Sequence, residues 1–308
     1  MDISIVIVTW NTRDLIKGSL RSLEAEFTGH TPDTIEIFVV DNLSTDGTAE
    51  MIRSEFPQVK LIVNSRNRGF AAANNQALSQ STGRYILILN PDTEIRPGGI
   101  KKLVEFLDTD SKTGAVGPLL LNADGTLQLS CDPEPTLSRE LWRLLHLDRL
   151  VPYGIYPQGS WPRDEHREVD VIKGACMLVR GETLDQIGLF DEEFFIYSEE
   201  VDLCYRIRQA GWQIQWVPQA EVVHYGGQST KQVASEMFQL LYKYKLIYFR
   251  KNHGHLAAAI YKVILAFVSS IRILLYPLAA WRRRPAERAA LRMLAGNYAT
   301  LLVSLPGM

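Results

Sequence analysis

The chain has 308 residues, 46% hydrophobic and 22% charged, with a formal net charge of −2. That composition excludes a disordered or collagen-like chain and allows one large domain plus an appendage, or two modest domains. The three cysteines, Cys131, Cys176 and Cys204, are widely spaced and in no CxxC arrangement, which excludes a disulfide framework or zinc ribbon and fits a reducing compartment.

The N-terminus opens directly on a strand-like run, Ile3–Thr9, with neither the basic n-region nor the cleavage site of a signal peptide. Further strands are predicted at Ile35–Asp41, Val59–Val63, Tyr85–Asn90 and Ala115–Leu121. Helices are predicted between them, near Thr12–Glu26, Asp46–Glu55, Phe70–Gln80 and Gly98–Leu107. Continuous apolar strands separated by helices indicate an α/β fold with a parallel sheet covered on both faces, in which ligands sit beyond the carboxyl ends of the strands. The clusters Thr9–Trp10–Asn11, Asp41–Asn42 and Asn90–Pro91–Asp92 should therefore converge on one crevice.

After Leu121 the turn sequence Asn122–Ala123–Asp124–Gly125 predicts a hairpin. Residues 131–168 read as an irregular excursion with one short helix near Ser138–Leu147. Regular structure resumes with Val169–Ile172, Ala175–Val179, a helix over Ser198–Ala210, and strands at Gln213–Val217 and Ala220–His224. From about Gln232 the chain reads as helix. From Lys243 to the end it carries 11 Lys/Arg and one acid, Glu287, a net +10, whereas the remainder carries 22 basic and 34 acidic residues, −12. An acidic body with a basic, aliphatic tail predicts two regions with different neighbours.

Four segments carry residues suited to chemistry. Asp41 at a strand end can accept a hydrogen bond from a base or ribose, with Ser44 or Asp46 capping the next helix. Pro91 ends its strand and presents Asp92, an oxygen ligand for a hard cation beside a diphosphate. In the stretch from Asn67 to Asn75, Gly69 and the alanines permit close approach of another backbone or a ligand, Arg68 supplies a cation for phosphate, and Asn74 and Asn75 are poor helix formers that need another reason to be there. The run from Phe190 to Asp202 holds six acids among aromatics, one of which can serve as a general base. Each segment also has a plainer reading: a turn with a cap, an Asx turn, a close-packed helix start, and a first helical turn acidic for dipole reasons with Asp202 paired to Arg206.

Taken in order, Ser4 to Asn11, Val39 to Gly47, Asn67 to Asn75, Leu89 to Thr93, Lys173 to Met177 and Phe190 to Arg206 resemble the motifs of family 2 glycosyltransferases with the GT-A fold, especially the rhamnosyltransferase-like branch. The resemblance covers about residues 3–228. It implies a Rossmann-like, mostly parallel sheet with helices on both faces: a catalytic domain over 1–228, with a nucleotide-sugar half to about 120 and an acceptor half after it, then a helical region over 229–308. It implies that Thr9, Asn11, Asp41, Arg68, Asn90 and Asp92 bind the nucleotide sugar, a dTDP- or UDP-sugar. Asn90 stands where the family's Asp-x-Asp motif has its first acid, so Asp92 becomes the main protein ligand of a divalent metal, Mg²⁺ or Mn²⁺, with His224 as helper. Glu200 is implied as the catalytic base, with Glu199 and Asp202 as fallbacks, and Gly174, Ala175 and Cys176 border the acceptor. The implied reaction is a single displacement with inversion.

In the tail, Leu256 to Trp281 is aliphatic but interrupted by Lys262 and Arg272, leaving uncharged stretches of nine residues at 263–271 and 273–281. That is short of a spanning helix. Lys262, Ser269 and Arg272 fall near one helical face, and Trp281 precedes Arg282, Arg283 and Arg284, which predicts an in-plane helix on the cytoplasmic face of the membrane. The acceptor would then be a glycan or lipid-linked glycan. Packing of the stripe on the catalytic domain or on a second subunit is the alternative. A sugar nucleotidyltransferase is disfavoured because Trp10–Asn11–Thr12–Arg13 replaces a Gly-rich phosphate loop, a non-catalytic glycan- or membrane-binding module because Asp41, Asp92 and Glu200 occur together. No nucleic-acid partner is expected.

Overall fold

The computed structural model describes residues 2–28, 35–226, 234–281 and 283–308. Its first unit, which comprises 1–134, 156–195 and 199–232, is built on a ten-stranded sheet. The strands are β1 (Ile3–Thr9), β2 (Ile35–Asp41), β3 (Lys60–Val63), β4 (Tyr85–Leu89), β5 (Thr93–Ile95), β6 (Thr113–Leu121), β7 (Leu127–Gln128), β9 (Arg167–Glu168), β11 (Cys176–Arg180) and β12 (Gln213–His224), and β8 (Cys131–Asp132) with β10 (Val171–Ile172) forms a separate two-stranded ribbon. The main order is β3-β2-β1-β4-β11-β6-β12-β5. The strands β1 to β4 are mutually parallel, as is the β6–β12 pair, while β11 runs antiparallel to β4 and β6, and β5 antiparallel to β12. The sheet is thus mixed and mostly parallel.

The helices of this unit are α1 (Arg13–Glu26), α2 (Thr48–Glu55), α3 (Phe70–Leu78), α4 (Gly99–Thr109), α6 (Gly181–Ile187) and α7 (Glu199–Gln209). Both faces of the sheet are buried. Successive side chains alternate sides, so Val6, Phe38, Val40 and Ile88 enter one core, while Ile5, Ile7, Val39 and Leu87 enter the other.

The structure departs from expectation where local signals mislead. The strand at Tyr85 stops at Leu89, leaving Asn90 outside the ladder, and β5 and α6 have no counterpart among the predicted elements. The two strands expected at 213–217 and 220–224 are one strand, β12, with a register shift between Val217 and Glu221. Pro218 reads as a breaker, but a bulge accommodates the missing donor. The hairpin after Leu121 does form, pairing β7 with β6.

The second unit comprises 135–155, 196–198 and 233–308, so the short helix of the irregular excursion groups with the C-terminal helices. That helix, α5 (Leu137–Leu144), is capped by Thr136, whose hydroxyl accepts from Arg139 N at 3.2 Å. It is joined by α8 (Ala234–Ala280) and α9 (Pro285–Ser304); Gly254, at φ 88° and ψ 170°, breaks α8 into two arms. The boundary expected at 228/229, like the start of helix near Gln232, lies outside the described residues.

Candidate functional site

The carboxyl ends of β1 and β2 are tied together by side chains. Asn42 N donates to Thr9 O at 2.8 Å, and Thr9 Oγ1 meets Thr12 Oγ1 at 2.8 Å. Asn11, in the left-handed region at φ 51°, receives Thr45 N on Oδ1 at 2.8 Å and donates its own N–H to Ser44 Oγ at 2.9 Å. Asp46 rather than Ser44 holds the next helix start, accepting from Thr48 N at 3.2 Å. Asp41 is buried. Its Oδ2 accepts from Ser44 N at 3.2 Å, but its Oδ1 has no partner in the structure. Burial pushes its carboxyl above the ordinary value. A buried acceptor without a donor at a strand end is a position prepared for a ligand N–H or O–H.

Asn42 organises the neighbouring loop. Its Oδ1 accepts from Arg68 N at 2.9 Å and Asn64 Nδ2 at 3.1 Å, and its Nδ2 donates to Asn67 Oδ1 at 2.9 Å and Gly69 O at 3.2 Å. The Arg68 backbone is thereby fixed while its side chain is exposed. Gly69 sits at φ 80° and ψ 175°, and a Cβ there would lie 2.5 Å from Phe195 O, to which Phe70 N donates at 2.6 Å. Close backbone approach, expected from the sequence, is therefore made by the acidic loop itself. Asn75 explains its own presence in the same way: it donates to Phe190 O at 2.9 Å and accepts from Phe190 N at 3.1 Å.

At the end of β4, Asn90 N donates to Ala175 O at 2.9 Å, and Thr93 Oγ1 turns back to Asn90 O at 2.7 Å. The unpredicted strand β5 then pairs Thr93 with His224, and Tyr225 N donates to Asp92 O at 2.9 Å. This register brings His224 Nε2 to 3.3 Å from Asp92 Oδ1 and 3.5 Å from Asn90 Nδ2.

The imidazole's orientation is set by Gln128, a residue not anticipated from the sequence. Gln128 Nε2 donates to His224 O at 3.2 Å and Asn122 Oδ1 at 2.9 Å, so its Oε1 is the atom 2.6 Å from His224 Nδ1. Nδ1 therefore carries a hydrogen, and Nε2 is the ring atom turned toward Asp92 Oδ1. Two acceptors at that separation call for a proton or a cation between them. A carboxylate oxygen and an imidazole nitrogen suit a divalent cation such as Mn²⁺ or Mg²⁺. Among the described residues no three His, Cys, Asp or Glu side chains form a metal cluster, so these donors would leave most of such a cation's shell open.

On the acceptor side, Gly174 lies against the first turn of α7, where a Cβ would stand 3.7 Å from Glu200 Cβ. Ala175 and Cys176 are both buried, Cys176 opposite Leu89 in the ladder. Burial pushes the Cys176 thiol up to about 12, which leaves it an unreactive core residue. Glu199 is buried and Glu200 half-buried, each with an Oε2 that has no partner. Both carboxyls are raised. For Glu199 the causes are burial and the Glu200 charge; for Glu200 they are burial and Asp132, with Lys173 opposing. The β8–β10 ribbon supplies those two charges, Lys173 Nζ lying 3.5 Å from Asp132 Oδ2.

Asp202 is not available as a base: it is fully buried and receives Arg206 Nε at 2.8 Å, while the same guanidinium also binds Ile187 O and Leu189 O at 2.8 Å. Ser198 is in the left-handed region at φ 68°, not the extended conformation of an N-cap.

The family model described as "Glycosyl transferase family 2" matches residues 4–145. The N-acetylglucosaminyl-diphospho-decaprenol L-rhamnosyltransferase of Mycobacterium tuberculosis is 30% identical over 269 residues, which cover 81% of this chain and 84% of that protein. Rhamnosyltransferase WbbL of Escherichia coli is 26% identical over 76% of this chain and 88% of its own. Among solved structures, a mannosyltransferase from Pyrobaculum calidifontis in complex with GDP-Man and Mn²⁺ superposes with a TM-score of 0.58 at 18% identity, covering 98% of this chain and 86% of that one. That likeness is one of fold.

Proposed function

The chain belongs to glycosyl transferase family 2 and is a glycosyltransferase, and from that premise we propose that it moves an L-rhamnosyl or related hexosyl unit from a nucleoside-diphosphate sugar to a hydroxyl of a lipid-linked glycan, with inversion. The donor proposed first is thymidine-diphosphate rhamnose, with uridine-diphosphate sugars next. The M. tuberculosis relative's name specifies rhamnose and a diphospho-decaprenol acceptor, which supports both the sugar and the lipid link.

The observation that carries this reading is a pair of buried carboxylate oxygens without partners, Asp41 Oδ1 after β2 and Glu200 Oε2 in the first turn of α7. In the proposed roles, Asp41 accepts from the N–H of a uracil or thymine edge, Thr9 and Asn11 wall the nucleotide, and Arg68 faces the diphosphate. Glu200 takes the acceptor hydroxyl proton as that oxygen attacks the anomeric carbon, and the nucleoside diphosphate leaves from the opposite face. Glu199 lies deeper beside it, its carboxyl raised by burial and by the Glu200 charge, which disfavours a second negative charge in the site. Asp92 and His224, with Asn90 beside them, would hold Mg²⁺ or Mn²⁺, which when bound supplies charge neutralisation to the leaving diphosphate. Gly174 leaves room for the acceptor beside Glu200. The C-terminal helices meet the cytoplasmic face of the membrane, where a lipid-linked acceptor resides.

The test is a panel of nucleotide sugars with Mn²⁺, scored for release of nucleoside diphosphate in the presence of a polyprenyl-diphosphate sugar. Acceptor-dependent release that Glu200→Gln abolishes while donor binding persists is the expected result. Near-wild-type turnover by Glu200→Gln would remove the base assignment, and donor affinity unchanged in Asp92→Ala with Mn²⁺ present would remove the metal site.

A further inference from the structure

Of seventeen exposed large apolar side chains among the described residues, fourteen belong to the second unit; only Leu43, Val63 and Phe195 belong to the sheet unit. In the second arm of α8 they form a line: Leu256, Ile260, Val263, Phe267, Leu274 and Leu278 are all exposed. At about 100° per residue these six fall within an arc of about 60°, and at 1.5 Å per residue they extend about 33 Å. Trp281 continues the line and is 75% exposed.

The opposite flank of the helix is buried and contains Tyr261, Ser269 and Arg272 among its polar groups. Tyr261, Leu265, Val268 and Ser269 are buried, and Tyr261 OH donates to Glu140 Oε2 of α5 at 3.0 Å. Arg272 turns inward as well. Its Nη2 donates to Leu144 O at the end of α5 and lies 2.9 Å from His146 Nε2, and its guanidinium stands 4.9 Å from the centre of the Tyr298 ring in α9. The polar face expected to meet solvent is therefore the protein-facing side, and the apolar face points outward. A helix in water has the reverse arrangement.

The unit has a second exposed apolar site. The loop after α5, joined to α8 through Arg272, exposes Leu150 at 79% and Val151 at 55%. Exposed Arg283, Arg284, Arg288 and Arg292 border the Trp281 end, and Lys251, His253 and His255 the other.

We propose that the exposed Leu256–Leu278 line of the second unit lies in the plane of a bilayer and selects anionic headgroups through the Arg283–Arg292 cluster. The proposal deepens the membrane part of the proposed function and rests on that part, not on the sugar chemistry. Charge decides between lipid and a second copy of the chain. Lys251 stands at one end of the line, and at the other four exposed arginines outnumber one acid, Glu287, which lies 3.8 Å from Arg283, so pairing two copies lengthwise, in either direction, would set like charges together, whereas anionic headgroups neutralise the excess. The inward-facing Arg272 and the one-sided exposure separate an in-plane helix from a spanning one, although α8 is long and apolar enough to cross.

The experiment is flotation of the full chain with vesicles of phosphatidylcholine alone or with phosphatidylglycerol, alongside donor hydrolysis without lipid and the mass of the protein in solution. Wild type should float with the anionic vesicles and be released by alkaline carbonate. Phe267→Glu with Leu274→Glu should prevent flotation while leaving lipid-free hydrolysis unchanged. Arg283→Gln with Arg284→Gln should weaken binding roughly thirtyfold, at about fivefold for each Arg. The proposal is overturned by wild type failing to float, by flotation surviving the Phe267 and Leu274 substitutions, by resistance to carbonate, or by a dimer that the same substitutions dissociate. Loss of donor hydrolysis in wild type would count against the transfer reaction alone and leave flotation to be judged separately.

Discussion

Gly69→Ala isolates the link between one backbone conformation and the position of the base. At φ 80° and ψ 175° the residue occupies a region open in practice only to glycine, and an L side chain there costs about 1–3 kcal/mol. The new Cβ would also stand 2.5 Å from Phe195 O, where ordinary contact begins at 3.4 Å, so one backbone must retreat by about 0.9 Å. Asn75 clamps the acidic loop at Phe190, so the retreat falls on the Phe195 side, five residues before Glu200, and breaks the 2.6 Å bond from Phe70 N. A misplacement of about 1 Å at a reacting group lowers turnover roughly a hundredfold. The expected result is a folded protein melting several degrees lower, with kcat down by about two orders of magnitude and nucleoside-diphosphate affinity little changed. Steady-state kinetics with a thermal melt and a nucleotide titration separate these effects. A variant of lowered stability but unchanged kcat would refute the coupling of Gly69 to the base.

Gln128→Leu should free the His224 ring from its tautomer and weaken Mn²⁺ binding in the presence of nucleoside diphosphate by about 10- to 100-fold; unchanged affinity in a metal titration would dismiss Gln128 as its orienting partner. Because Glu200 is raised by burial and by Asp132, with Lys173 opposing, and a base acts only when ionised, kcat/KM should fall as pH drops through a limb lying above the usual carboxylate range. Asp132→Asn should move that limb down and Lys173→Gln should move it up; shifts of the same sign in a pH–rate profile would contradict the assignment. In the helical unit Glu140 is buried with Lys245 Nζ 2.6 Å away, so Glu140→Ala should cost about 3–5 kcal/mol in denaturant unfolding, and adding Lys245→Met should recover much of it.

The parallel half of the sheet was legible because its strands are buried on both faces and read as unbroken apolar runs, from Ile3 to Val8 and from Tyr85 to Leu89. Strand ends follow from such runs, and with them Thr9, Asp41 and Asp92. The antiparallel part was not legible in the same way. β5 has three residues and no periodicity to detect, yet it is the strand that sets His224 against Thr93 and so against Asp92. Gln128 belongs to a two-residue strand whose partner is chosen by the hairpin turn, and nothing in its own neighbourhood marks it as the residue that orients His224. Asp202 illustrates the opposite case: its i,i+4 spacing to Arg206 already suggested a pair, and the structure forms it, buried and at 2.8 Å.

The C-terminal helices show why a periodic pattern is ambiguous in sign. Lys262, Ser269 and Arg272 lie on one side of α8, and a water-soluble helix would turn that side outward. Periodicity establishes that two faces differ in polarity; which one is wet depends on what each can bond to. Arg272 finds the carbonyl of Leu144, 128 residues earlier in the chain, together with the ring of Tyr298, so its charge is satisfied inside. Ser269 is buried on the same flank. With those groups held internally, no hydrogen-bonding side chain remains within the arc of the line from Leu256 to Leu278 to favour water, and the half-buried Ser270 lies about 20° outside its edge. The outward face thus acquires the polarity of a lipid contact through a bond that joins α8 to α5, two elements that sequence reasoning had assigned to different domains.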